Sequence, residues 1–136
     1  MSVDEFFASY AADCATYDAA TVAEHFVYPV QAVGATAAEP DVTTAGREEW
    51  LRGLDRLLDA YRELGVAAAR LHRLQVTQVG RGLHVASVGW TLLHADRSPV
   101  YEFEACYTLV VSQGRLQIAA IAHNELPKLR AALADR

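Results

Sequence analysis

Three long strand-forming runs dominate the second half of the chain, Val66 to Val79, Leu83 to Ala95 and Val100 to Ser112. Only Gly80-Arg81-Gly82 and Asp96-Arg97-Ser98-Pro99 separate them. Links that short leave no room for a crossover helix, so consecutive runs must pair antiparallel as hairpins. Arg115 to His123 adds a further strand after the Gln113-Gly114 turn. In the run from Val100 to Ser112 the odd positions Tyr101, Phe103, Ala105, Tyr107, Leu109 and Val111 are apolar or aromatic, while Glu102 and Glu104 stand on the even side. One face of this sheet is built for burial.

The first half supplies the helices that bury it. Val3, Phe6, Phe7, Tyr10, Cys14 and Tyr17 recur at helical spacing behind a Ser2/Glu5 capping box. Asp18 is placed to cap a shorter helix through Ala19 to His25, which stops as Pro29 approaches. Phe26 to Val33 suits a strand, Gly34 to Asp41 a loop, and Val42 to Thr44 a short strand closing a hairpin. Trp50, Leu51, Leu54, Leu57, Leu58, Tyr61 and Leu64 form the cleanest helical stripe, ended by Gly65. Pro127 suits the first turn of a closing helix carrying Leu129 and Leu133, with Asn124-Glu125 at its cap. The predicted fold is α+β: a conical, curved antiparallel sheet, three helices ahead of it and a short one at its end.

At 136 residues, with 52% hydrophobic and 21% charged residues, the chain suits one domain with a filled core. Seventeen acidic residues against 12 basic ones give a net charge of −5, and no Lys/Arg cluster matches a phosphate backbone, so no nucleic-acid partner is expected. No apolar stretch reaches the roughly 20 residues a bilayer demands, and no secretory signal precedes Asp4 and Glu5. A cytoplasmic protein with no membrane partner is expected. Cys14 and Cys106 are expected to be buried free thiols. His72, His84 and His94 lack zinc-site spacing, so no metal and no cofactor is expected.

This order of elements resembles the nuclear transport factor two-like superfamily, a conical half-barrel with helices closing its wide end. The residues that carry the resemblance are Phe6-Phe7 and Tyr10, Asp18, Phe26, and Gly114-Arg115-Leu116-Gln117-Ile118-Ala119 near the end. The superfamily includes ketosteroid isomerases, SnoaL-type polyketide cyclases, scytalone dehydratases, limonene epoxide hydrolases and members that bind ligands or assemble partners. In the isomerases a first-helix tyrosine and a protonated acid hold the dienolate oxygen while a carboxylate moves the proton. Tyr10 matches that tyrosine. The base position falls near Val33 and Gly34, where no carboxylate stands, and the acid position falls around Cys106 or Tyr107. The Asp, Arg and Asp set of the epoxide hydrolases finds no counterpart either.

The resemblance leaves a pocket for a small apolar molecule, with Tyr10, Tyr28, Trp90, Tyr107 and His123 as its expected lining. His123 shares strand parity with Ala119 and Ile121, and a neutral imidazole there suits acid or base work near pH 7. Three functions follow as expectations: a binding pocket for an apolar or aromatic oxygen-bearing ligand, an isomerase- or cyclase-like enzyme using His123 as base and Tyr10 as hydrogen-bond donor, or a non-catalytic dimeric assembly domain. Cys106, Thr108 and Val110 leave the even side of their strand half apolar, so a homodimer through the outer sheet face is expected. Trp50 is expected in the core, His25 at a helix end, and Glu102 and Glu104 away from the pocket.

Overall fold

The computed structural model describes residues 1–136. Helix α1 spans Val3–Cys14 and α2 spans Ala19–Ala23; strands β1 (Phe26–Gly34) and β2 (Asp41–Ala45) follow. Helix α3 (Arg47–Leu64) leads into β3 (Ala68–Gly80), β4 (Leu83–Leu93), β5 (Pro99–Ser112) and β6 (Arg115–His123), and α4 (Glu125–Ala134) closes the chain.

Local chemistry sets the helix ends. Ser2 Oγ accepts from the Glu5 amide at 3.1 Å and Glu5 Oε1 accepts from the Ser2 amide at 3.0 Å, so two orphan donors of α1 are satisfied reciprocally. Asp18 Oδ1 accepts from the Ala20 amide at 3.1 Å and caps α2. Gly65 takes a left-handed φ of 72°, which an L side chain resists, and α3 stops there. Tyr17 lies beyond the end of α1, and its hydroxyl donates to the Val66 carbonyl, which ties the α1–α2 turn to the start of the sheet.

The strands form one curved, unclosed sheet in the order β2-β1-β6-β5-β4-β3. Neighbours are antiparallel except β1 and β6, which run parallel. The concave face meets α1, α2 and α3 over a core that includes Phe6, Phe7, Val22, Leu58, Val88 and Leu109, each at most 3% exposed. Full burial of such a side chain stabilises by roughly 1.5–3 kcal/mol, so this layer supplies much of the driving force.

Several expectations change here. The ladder between β5 and β6 slips so that Leu109 faces Ile118 while Tyr107 faces Ile121. Because side chains alternate, one extra residue flips the face. Ile118, fully buried, is therefore the inward residue of the first half of β6, and the parity shared by Ile121 and His123 does not extend to Ala119. Val111 is 51% exposed, since β5 runs past the cover of the helices. Cys106 is free but exposed, because its even position on β5 turns it to the convex face; Cys14 is free and half-buried. Asn124 does not cap α4: its Oδ1 accepts from the Glu104 amide at 2.8 Å. No helix is long and apolar enough to cross a membrane.

Candidate functional site

Between the concave face and the helices lies a cavity of about 570 Å³. Tyr10 of α1, Trp50, Leu54 and Tyr61 of α3, Trp90 of β4, Phe103 and Tyr107 of β5, and Ile121 and His123 of β6 line it, with Glu125 from α4. Exposed Asp41, Glu49, Arg56 and Arg130 give it a charged rim. Mostly apolar walls carrying a few polar atoms are the usual make-up of a small-molecule site.

The floor is polar at one point. Trp90 Nε1 donates to the Tyr107 hydroxyl at 2.9 Å, and both side chains are at most 2% exposed. Tyr107 thus receives one hydrogen bond and keeps its own O–H for another acceptor. Tyr10 packs against it with ring centroids 6.2 Å apart at 74°, an edge-to-face arrangement. Burial pushes the Tyr10 and Tyr107 phenols upward and the Cys14 thiol up to about 12, so all three are neutral donors near pH 7.

A carboxyl group is buried beside them. Glu125 is 7% exposed, and its Oε2 accepts from Tyr61 and, at 2.7 Å, from Tyr101. Burial raises its pKa, and the two phenol donors partly oppose that rise. Its charge in turn helps to raise Tyr61 and Tyr101, after burial, which is the larger cause for both.

His123 is tied to the same turn. Its Nδ1 accepts from the Glu125 amide at 3.2 Å, so in the neutral ring the proton sits on Nε2. Burial lowers its pKa and favours that neutral form. Gly34 pairs with His123 across the parallel ladder, and a Cβ there would lie 3.8 Å from Nε2, so glycine leaves this side of the ring uncovered.

Residues 1–126 match the family described as NTF2-like protein (DUF6841). The chain belongs to this NTF2-like family. Solved structures agree in fold. Aln2 from a Streptomyces species is 19% identical, with a TM-score of 0.68 over 95% of this chain and 92% of that one. An NTF2-like protein with a cystatin-like fold from Novosphingobium aromaticivorans is 17% identical, with a TM-score of 0.67 over 95% of this chain and 84% of that one. A Nostoc punctiforme protein of unknown function with a cystatin-like fold is 11% identical, with a TM-score of 0.70 over 90% of this chain and 86% of that one. No curated protein matches the chain. Identities this low establish the fold alone, so chemistry has to be argued from the site.

In this NTF2-like chain Tyr10, Trp90, Tyr107 and His123 share the cavity. Tyr28 does not line it: its hydroxyl donates to the Ala23 carbonyl at 2.7 Å, which spends the phenol on the end of α2. Trp50, expected in the core, forms part of the cavity wall against Phe26 at 5.2 Å, and its buried Nε1 has no partner. His25 lies outside the cavity with Nε2 2.6 Å from Asp13 Oδ2. Glu102 and Glu104 are exposed on the convex face, where Glu104 pairs with Arg73. No three His, Cys, Asp or Glu side chains converge closely enough to hold a metal ion.

Glu125, Tyr61 and Tyr101 are the site residues that sequence reasoning missed. A signal existed for each. Tyr61 follows Leu54 and Leu58 on the apolar face of α3, and Tyr101 has the inward parity of β5. Glu125 stands four residues before Leu129 on α4, on the face that this leucine buries.

Proposed function

We propose that the cavity binds a small apolar or aromatic molecule bearing at least one oxygen. The observation that carries this reading is the Tyr107 hydroxyl: it accepts from Trp90, lines an aromatic cavity, and has its proton to give to a ligand oxygen. A hydroxyl already accepting a hydrogen bond donates more strongly, because such chains polarise one another. A thermal-shift screen with steroid-like and polyketide-like compounds tests it. Stabilisation by at least one, weakened about tenfold in affinity by Tyr107→Phe, is the expected result. No stabilisation by any compound would overturn the reading.

An isomerase- or cyclase-like reaction with His123 as base and Tyr10 as donor is less well supported. A base needs a free lone pair, and the Nδ1 lone pair is engaged by the Glu125 amide while Nε2 holds the proton.

We also propose that two copies associate through the convex face. Val33, 36% exposed, and Val42, 66% exposed, stand on that face with exposed Cys106 and Ala122, and these side chains form an apolar strip across β2, β1, β6 and β5. A solution mass of twice the chain, returned to one chain by Ala122→Arg, is expected. A wild-type mass of one chain would end this idea.

A further inference from the structure

Besides the Tyr107 O–H and the Trp50 Nε1, the cavity holds a further polar atom with no protein partner, an acceptor on Glu125. Both phenol hydrogen bonds to the Glu125 side chain fall on Oε2, and Oε1 receives none from the protein although the side chain lines the cavity. Two donors on one carboxylate oxygen favour the ionised group, yet no cation stands inside with it. The titratable groups that surround Glu125 are Tyr10 and Cys14 from α1, Tyr61 from α3, Tyr101 and Tyr107 from β5, and His123 from β6. The phenols and the thiol are neutral while they keep their protons, His123 is neutral with its one proton on Nε2, and the arginines that line the cavity, Arg56 and Arg130, are exposed at its rim. An unpaired buried carboxylate is costly, and an opposite charge brought by a ligand removes that cost.

The walls suit such a charge. Tyr10, Trp50, Trp90 and Phe103 line the same cavity, and aromatic faces attract a desolvated cation. We propose that the ligand carries a basic nitrogen, and that Glu125 Oε1 pairs with it as an ammonium group inside the aromatic cavity. This rests on the reading of the cavity as a binding site and adds the chemical class of its ligand: an oxygen-bearing arylalkyl amine. The proton balance is simple. An alkyl amine already carries its proton near pH 7, so when it pairs with a Glu125 that held its own proton, that one proton leaves to the solvent and the ammonium and carboxylate remain.

Isothermal titration calorimetry with a matched pair of probes tests the inference. The probes are a methoxynaphthyl-ethylamine and methoxy-propylnaphthalene, in which a methyl replaces the amino group. The wild-type protein is expected to bind the amine at least about tenfold more tightly than the neutral isostere, since a hydrogen bond to a charged group exceeds a neutral one. Glu125→Gln is expected to erase that preference, so that the amine loses its advantage and the two probes bind alike within about twofold. Equal binding of the two probes by the wild type overturns the inference and leaves the binding-site reading standing. A preference that survives Glu125→Gln also overturns it. Failure of both probes, together with every steroid-like and polyketide-like compound, sinks the binding-site reading as well. Should Glu125→Gln fail to fold, the wild-type comparison of amine against isostere still decides.

Discussion

Trp90 and Tyr107 are joined by a 2.9 Å hydrogen bond although they are not opposite one another in the ladder: Trp90 faces Phe103, and Tyr107 faces Ala86. The indole therefore reaches along the sheet to find its acceptor. A buried N–H that loses its acceptor carries the full desolvation penalty. Tyr107→Phe should lower unfolding stability by about 1–3 kcal/mol in urea denaturation. A loss well under that range would mean that the indole nitrogen finds another partner.

Glu125 makes stability depend on pH. Its pKa is raised in the folded protein above the ordinary value of 4.5, so the folded state holds a proton that the unfolded chain releases. That stabilisation is fully present below the unfolded value and is lost as pH rises through the folded one. His123, whose pKa burial lowers, works in the opposite direction, so the Glu125 contribution is read as a difference: the melting temperature of the wild type relative to Glu125→Gln should fall as pH increases above about 4.5. Identical slopes in the two proteins would show that Glu125 titrates normally.

Gly89 is tied to His72. A Cβ at position 89 would stand 2.4 Å from His72 Nε2, so the imidazole must swing away and give up its 2.8 Å bond to Thr91 Oγ1. Thr91 is 1% exposed and would keep only a 3.4 Å contact with Glu102. Gly89→Ala is expected to destabilise by roughly 1–2 kcal/mol, measured by chemical denaturation. A neutral or stabilising result would show that the ring's position on the convex face is incidental.

Gly34 offers a way to fill the cavity without disturbing the core. A Cβ there meets His123 and Leu126 at 3.8 Å, an ordinary contact, and its φ is not left-handed. Gly34→Leu should keep the melting temperature within a few degrees while ligand affinity falls at least about tenfold, because the added side chain enters space beside His123. Unaltered affinity would move the binding site away from this end of the cavity.

Ile118 tests the bulge. It is 0% exposed opposite Leu109, and Ile118→Ala removes buried methyl groups from a packed layer. A loss of about 2–5 kcal/mol is expected from denaturant unfolding. Ala119→Gly, one residue on, should cost about 1 kcal/mol or less. Similar costs at both positions would contradict the inward placement of Ile118.

What could be read from the sequence acts over a few residues. The Ser2/Glu5 box, the Asp18 cap and the Gly65 stop depend on hydrogen bonds and dihedrals within a turn or so, and the alternation from Tyr101 to Leu109 on the repeat of a single strand. These settled the helices, the hairpins and the inward aromatic face. The parallel seating of β6 against β1 joins segments about ninety positions apart, and nothing local announces it. The same holds for the slip that brings Ile118 inside. Glu125 read alone is a charged residue at a helix start. Its burial follows from Tyr61 and Tyr101, which lie 64 and 24 residues away and come within reach only once α3, β5 and α4 have packed. A carboxyl group enters an interior when partners there meet its hydrogen bonds, and those partners are gathered by the tertiary structure.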